Sequence, residues 1–306
     1  MFFSSKKKVI LINGPTASGK SSLAVGLAKE INGEIISVDS RQIFKEIPIF
    51  SGVIKKEDRQ NILHYFVEEL SLFKGDEFNI VDFKEKVFKI IDDILKRKKI
   101  PILVGGSSFF FEVILYKDFL PTVEPDEELR KELEMKTKEE LFAEILEKDV
   151  KTAERIDKDN KFRLIRAVEI IRENGFVPEI KKVVNKKYDF REIFLEDEKE
   201  MINKKIEKNF LERVDGLLEE AGILQSKIPA EKFNQLGLAY KNIFNFWEGN
   251  ISQNKFITLG IKEEQKYAKR QMTYLNKFYN SLPKSIKKER FLSSDKNLLE
   301  KVLNFL

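Results

Sequence analysis

The chain has 306 residues, 42% apolar and 35% charged, enough to bury a large core in one big domain or two. It has no cysteine, which excludes a disulfide framework and a thiolate zinc site and makes the cytoplasm the expected compartment. The start, Met1-Phe-Phe-Ser-Ser-Lys-Lys-Lys8, reverses the order of a secretion signal, no apolar run nears the ~18 residues of a membrane span, and a net charge of +5 hints mildly at a polyanionic partner.

In chain order, the apolar run Val9-Ile10-Leu11-Ile12 predicts a buried strand, followed by Gly14-Pro-Thr-Ala-Ser-Gly-Lys-Ser21. This octet fits the phosphate-binding P-loop, G-x-x-x-x-G-K-[ST]. The spacing of Leu23, Ala24, Leu27, Ala28 and Ile31 predicts the helix that must follow such a loop, capped at Asn32-Gly33. The residue types suit an anion: Gly14 and Gly19 let the backbone wrap it, and the helix start aims unpaired N–H groups at it. Pro15, Thr16, Ala17 and Ser18 complete the loop; Lys20 is expected to neutralise the far phosphate, and the Ser21 hydroxyl can ligate Mg²⁺. The motif implies a polyphosphate without specifying ATP.

A second strand over Glu34–Asp39 ends in Asp39-Ser40-Arg41-Gln42. Ligands of open α/β sheets bind at the carboxyl ends of strands, which turns Asp39 toward the P-loop; an ordinary Asp-Ser turn is the competing reading. Residues 43–60 read as a loop. His64, the single histidine, reads as structural. Ile80, Phe83, Val87, Ile91 and Ile94 predict an amphipathic helix over residues 80–97, and Ile100–Val104 a buried strand ending in Gly105-Gly106-Ser107. The alternation predicts an α/β fold with three strand ends converging on one crevice.

Five segments together carry a family resemblance: the P-loop, Ser37–Ile43, Glu77-Phe78 with Asp82-Phe83, Ile102–Ser107, and Tyr267-Ala-Lys-Arg-Gln271. In order and spacing the chain resembles the tRNA dimethylallyltransferases from about residue 9 to about residue 280. The resemblance implies a P-loop NTPase-like parallel sheet flanked by helices, with a helical insertion domain. It implies a core over residues 1–117 and 188–306 and an insertion over 118–187 that grips the tRNA anticodon stem-loop. It also implies that the P-loop and Arg270 bind the diphosphate of dimethylallyl diphosphate, with Mg²⁺ at Ser21 and no ATP split. Asp39 and Ser107 are the implied catalytic residues. Asp39, Ser40, Arg41 and Gln42, with Arg130, Phe162, Arg163 and Arg166 of the insertion, are the implied tRNA contacts. The expected partners are tRNA and dimethylallyl diphosphate, with no membrane and the chain acting as a monomer.

The chain departs from the family pattern in places. Phe50-Ser-Gly-Val-Ile54 stands where the family has a Gly-Thr-Ala-Lys-Pro run, His64-Tyr65 where it has two histidines, Gln265 for an arginine, and Glu198-Lys199 for Asp-Arg. Beyond the insertion, residues 188–195 read as a returning strand and residues 201–280, including Leu236–Lys241, as helix. The tail from Pro283 reads as a short amphipathic helix through Leu298, Leu299, Val302, Leu303 and Leu306.

Overall fold

The computed structural model describes residues 7–180, 182–229 and 238–306, and all side chains of the Leu236–Lys241 run lie outside the described ones. In chain order the elements are β1 (Lys7–Asn13), α1 (Lys20–Ile31), β2 (Gly33–Ser37), β3 (His64–Tyr65), α2 (Ile80–Lys96), β4 (Ile100–Gly105) and α3 (Ser108–Leu115). Then come α4 (Glu127–Glu134), α5 (Lys138–Lys148), α6 (Val150–Arg155) and α7 (Lys161–Asn174). The chain returns through β5 (Tyr188–Glu196), α8 (Lys199–Gln225), α9 (Leu238–Trp247), α10 (Gln253–Ser281), β6 (Lys287–Leu292) and α11 (Leu298–Phe305). It divides into two compact units, residues 1–115 with 185–306, and residues 116–184.

The larger unit is built on a six-stranded sheet in the order β3-β2-β4-β1-β5-β6, with every pairing parallel. Parallel strands covered on both faces read as continuous apolar runs, and Val9 to Ile12 of β1 are completely buried. On one face α1 and α11 pack Leu23, Leu27, Val302 and Phe305 against Ile12, Ile102 and Leu195. A second cluster joins α8 to α10 through Phe210, Leu217 and Phe256. There a Cβ on Gly260 would lie 2.1 Å from the Phe210 ring, so only glycine permits this approach of the two helices.

Two details differ from the sequence reading. The cap of α1 is Asn32 alone, left-handed at φ 54°, while Gly33 already belongs to β2. Gly33 is there for room: a Cβ would meet Ile102 at 2.7 Å. The second difference is β6, whose sequence Lys-Lys-Glu-Arg-Phe-Leu shows no apolar run because it is an edge strand, paired among the described residues with β5 alone.

The described residues of the smaller unit form four helices around Leu133, Leu141, Ile145, Leu164 and Val168. Its helix starts are set by side chains: Asp126 caps α4, Thr137 and Glu140 form a capping box on α5, Asp149 caps α6 and Asn160 caps α7. The Lys117 N–H bonded to the Val183 carbonyl at 3.0 Å closes the unit where the chain enters and leaves it.

Candidate functional site

At the carboxyl ends of β1, β2 and β4 the larger unit encloses a cavity of about 630 Å³. The P-loop forms one wall. A Cβ on Gly14 would sit 2.5 Å from the Leu195 carbonyl oxygen, so the loop can leave β1 against β5 only as glycine. Gly19 takes the left-handed conformation (φ 77°) that starts α1. Thr16, Ala17, Gly19, Lys20 and Ser21 line the cavity, whereas Ser18 is fully buried beneath it. The Lys20 ammonium donates to the Pro15 carbonyl at 2.5 Å and reaches the Ser18 hydroxyl at 3.5 Å. Burial pulls Lys20 down to about 8, against the opposing pull of the Asp39 charge.

The turn after β2 brings Asp39, Ser40, Arg41 and Gln42 to the same cavity. Asp39 serves the turn and lines the cavity together. Its Oδ1 accepts the Arg41 N–H at 2.8 Å and shapes the turn, and the carboxylate also lines the cavity. Gln42 is engaged in scaffolding: it accepts from the Ser37 hydroxyl at 2.8 Å and donates to the Ser51 carbonyl at 3.3 Å. Arg41 lies 5.1 Å from the Phe50 ring centre, a cation–π contact on the loop where the resemblance breaks down. His64 also lines the cavity; its Nδ1 donates to the Ile62 carbonyl at 2.8 Å, and burial lowers its pKa.

The third strand end supplies Gly105, Gly106 and Ser107. Their glycines are needed for close approach. A Cβ on Gly105 would lie 2.3 Å from the Val38 carbonyl, and one on Gly106 would lie 2.3 Å from Gln271 Nε2. Gln271 of α10 clamps two loops together, accepting the Thr16 N–H at 2.8 Å and donating to the Gly106 carbonyl at 3.1 Å. Tyr267, one turn before Gln271, and Arg270, directly before it, line the same cavity.

The far wall holds groups that sequence reading did not single out. Arg213 of α8 pairs with Glu264 of α10 and donates to the Ile49 carbonyl at 3.2 Å. Desolvation raises the Glu264 pKa against the pull of Arg213. Helical spacing places each on a face of its helix, but the meeting of two helices 51 residues apart leaves no local signal.

The four insertion positions divide in two. Arg130 binds Glu169 through both edges, at 2.8 and 3.0 Å. Arg166 donates to the same carboxylate at 3.1 Å and to the Val123 carbonyl at 2.5 Å. Glu169 is 2% exposed; burial pushes its pKa up, but the two arginines and the Asp126 N–H outweigh that and hold it below the usual carboxylate range. Phe162, by contrast, is 71% exposed, and the Arg163 guanidinium stands 3.9 Å from an open Asp157. Among the described residues no helix is long and apolar enough to cross a membrane, and no group of three or more His, Asp or Glu is placed to hold a metal. Ser21, at the start of α1 and on the cavity, offers a hydroxyl oxygen of the kind that a hard divalent cation takes.

A family profile described as IPP transferase matches residues 42–278. The chain is 35% identical over 305 residues to a tRNA dimethylallyltransferase of Acetivibrio thermocellus, covering 94% of each chain. It is 34% identical to a tRNA dimethylallyltransferase of Lactobacillus acidophilus over 90% of this chain and 91% of that one. Among solved structures, a tRNA isopentenylpyrophosphate transferase of Bacillus halodurans superposes with TM-score 0.69 at 27% identity, covering 98% of this chain and 95% of that one. A eukaryotic dimethylallyltransferase acting on tRNA shares the fold, with TM-score 0.79 at 22% identity over 97% of this chain and 77% of that one.

Proposed function

This chain belongs to the IPP transferase family, and we propose that its cavity transfers a dimethylallyl group from dimethylallyl diphosphate to the exocyclic amine of the adenosine 3′ of the anticodon in tRNA. The observation that carries the reading is that the P-loop lysine and the Asp39 carboxylate face one cavity and feel each other's charge. An anionic leaving group and a nucleophile that must lose a proton meet there.

The loop N–H groups, Lys20 and Arg270 hold and orient the diphosphate. A Mg²⁺ at Ser21, when bound, supplies charge neutralisation of the leaving group. The adenosine flips out of its stack to reach a cavity this deep. Its amine nitrogen forms the bond to the allylic carbon as the carbon–oxygen bond to diphosphate breaks, and the diphosphate leaves with the electron pair. Asp39 takes the amine proton, and Ser107 holds the reacting groups in line. Ser40, Arg41 and Gln42 shape the acceptor side. The insertion, residues 116–184 in the structure, grips the anticodon stem-loop through Phe162 and Arg163, with Arg130 and Arg166 bracing the helices that present them. The protein works in the cytoplasm, as a monomer.

The test is incubation with labelled dimethylallyl diphosphate, Mg²⁺ and an unmodified tRNA with adenosines beside the anticodon. Label should pass to tRNA with one diphosphate released per transfer. Transfer to free AMP instead, or ADP release from added ATP, would overturn the reading in favour of a small-molecule enzyme.

A further inference from the structure

Strands buried on both faces of a parallel sheet are apolar, yet Glu192 lies in the middle of β5 with no exposed surface. Beside it is Asn13, equally buried, the last residue of β1. Asn13 Nδ2 donates to Glu192 Oε1. That single bond leaves Asn13 Oδ1 and Glu192 Oε2 buried without a partner. If Glu192 were ionised, both orphans would be acceptors, since neither a carboxylate nor a carboxamide oxygen has hydrogen to give. The core would then hold two unpaired acceptors and an uncompensated charge, a cost of several kcal/mol.

One proton on Oε2 removes all three problems. The acid O–H then donates to Asn13 Oδ1 while the Asn13 N–H donates to Oε1. The result is a closed ring of two hydrogen bonds between a carboxylic acid and a carboxamide. The surroundings favour the neutral acid. The cation facing it from β6 is Lys288, whose ammonium donates instead to the carbonyls of Tyr279 at 2.6 Å and Leu282 at 3.3 Å. Tyr279 of α10 is the other titratable group that feels Glu192; burial raises its own pKa, so its phenol stays neutral. Burial likewise lifts Glu192 well above the usual carboxylate range, against the weaker pulls of Asn13 and Lys288.

We propose that Glu192 is a neutral carboxylic acid locked to Asn13 in this two-bond ring, and that the ring is a positioning device for the phosphate-binding loop. Asn13 directly precedes Gly14, and Gly14 leaves the sheet against Leu195 of the same β5, so strand β5 fixes both the origin and the exit angle of the loop. Neutrality has its own consequence. A carboxylate at this depth would place a negative charge beneath a loop that receives an anion, whereas the acid anchors the loop without opposing its ligand. The functional half of this inference rests on the reading of the loop as a diphosphate site.

Two measurements test it. In the infrared spectrum at neutral pH the wild type should show the C=O stretch of a protonated carboxylic acid, missing from Glu192→Gln; its absence from the wild type would overturn the proposal whether or not any variant folds. Calorimetry with inorganic diphosphate and Mg²⁺ reads the loop directly. Glu192→Gln, whose amide can close the same ring, should bind within about twofold of wild type. Glu192→Leu, which strands the Asn13 amide, should bind about tenfold or more weakly, the size expected for a buried polar group losing its partner. A folded Glu192→Leu that binds as tightly as wild type would overturn the positioning role. Failure of the wild type itself to bind diphosphate would instead strike the proposed function, leaving the infrared result to decide the state of Glu192.

Discussion

Lys20 of the larger unit and the arginines of the smaller one are held in opposite ways. In the larger unit Lys20 is enclosed by the loop it serves, bonded among the described residues to that loop's own Pro15 and Ser18 and depressed to about 8 by desolvation. In the smaller unit Arg130 and Arg166 are both paired with one buried carboxylate, while Arg163 on the same helix as Arg166 stays exposed. A cation satisfied only by backbone and hydroxyl groups is ready for an anionic ligand. A cation paired with a buried carboxylate is part of the frame. Residue type separates neither case; the identity and burial of the partner do.

The largest expected effect lies in the core. Asp39→Asn keeps the shape and the turn but removes the base, so single-turnover prenyl transfer with pre-bound tRNA should fall by about 10²–10⁴-fold. A loss under about tenfold would make Asp39 a clamp and send the proton to the leaving diphosphate. Lys20→Ala should lower kcat/KM for dimethylallyl diphosphate by about 10²-fold or more through loss of a charge-assisted contact, with tRNA affinity and fold intact. Near-normal turnover in that variant would remove the loop as the donor site.

The depressed Lys20 also gives a pH signature. Below about 8 the ammonium is charged and ready for the diphosphate, so KM for the donor should rise as pH climbs past 8. The stability sign is the reverse: between about 8 and the ordinary 10.5 the unfolded chain holds the extra proton, so the ligand-free protein gains stability with rising pH over that window. A donor KM that stays flat up to pH 10 would show Lys20 to be fully charged in the cavity.

In the insertion the arginines should separate. Arg130→Ala leaves buried Glu169 short of its bidentate partner and should destabilise this unit by about 1–3 kcal/mol, read by thermal or denaturant unfolding. Because Glu169 titrates below its usual range, its share of stability is complete above the unfolded carboxylate pKa and is lost as pH falls; Arg130→Ala should shrink that acid dependence. The smallest effect belongs to the exposed position. Arg163→Ala should leave unfolding unchanged, weaken tRNA binding a few-fold and lower the salt slope by about one. If Arg130→Ala and Arg163→Ala behave alike in both assays, the division between frame and contact fails.

Local pattern carried most of the core. The run before Gly14, the spacing from Leu23 to Ile31 and the Gly105-Gly106 turn each state their own element, because a buried parallel strand, an amphipathic helix and a close-approach turn leave marks within a few residues. Strand β6 left none, since an edge strand alternates charges like a loop. The cavity residues Asp39, Lys20, Ser107 and Arg270 stand in motifs legible in the sequence; the parallel order β2-β4-β1 brings the strand ends before the first three together, and α10 adds Arg270. What only tertiary structure decided is partnership. That Glu169 takes up Arg130, that Arg213 meets Glu264, and that Glu192 lies against Asn13 depend on chain separations of 39, 51 and 179 residues. Pairing energies arise from distance and desolvation, which exist only once the chain has folded.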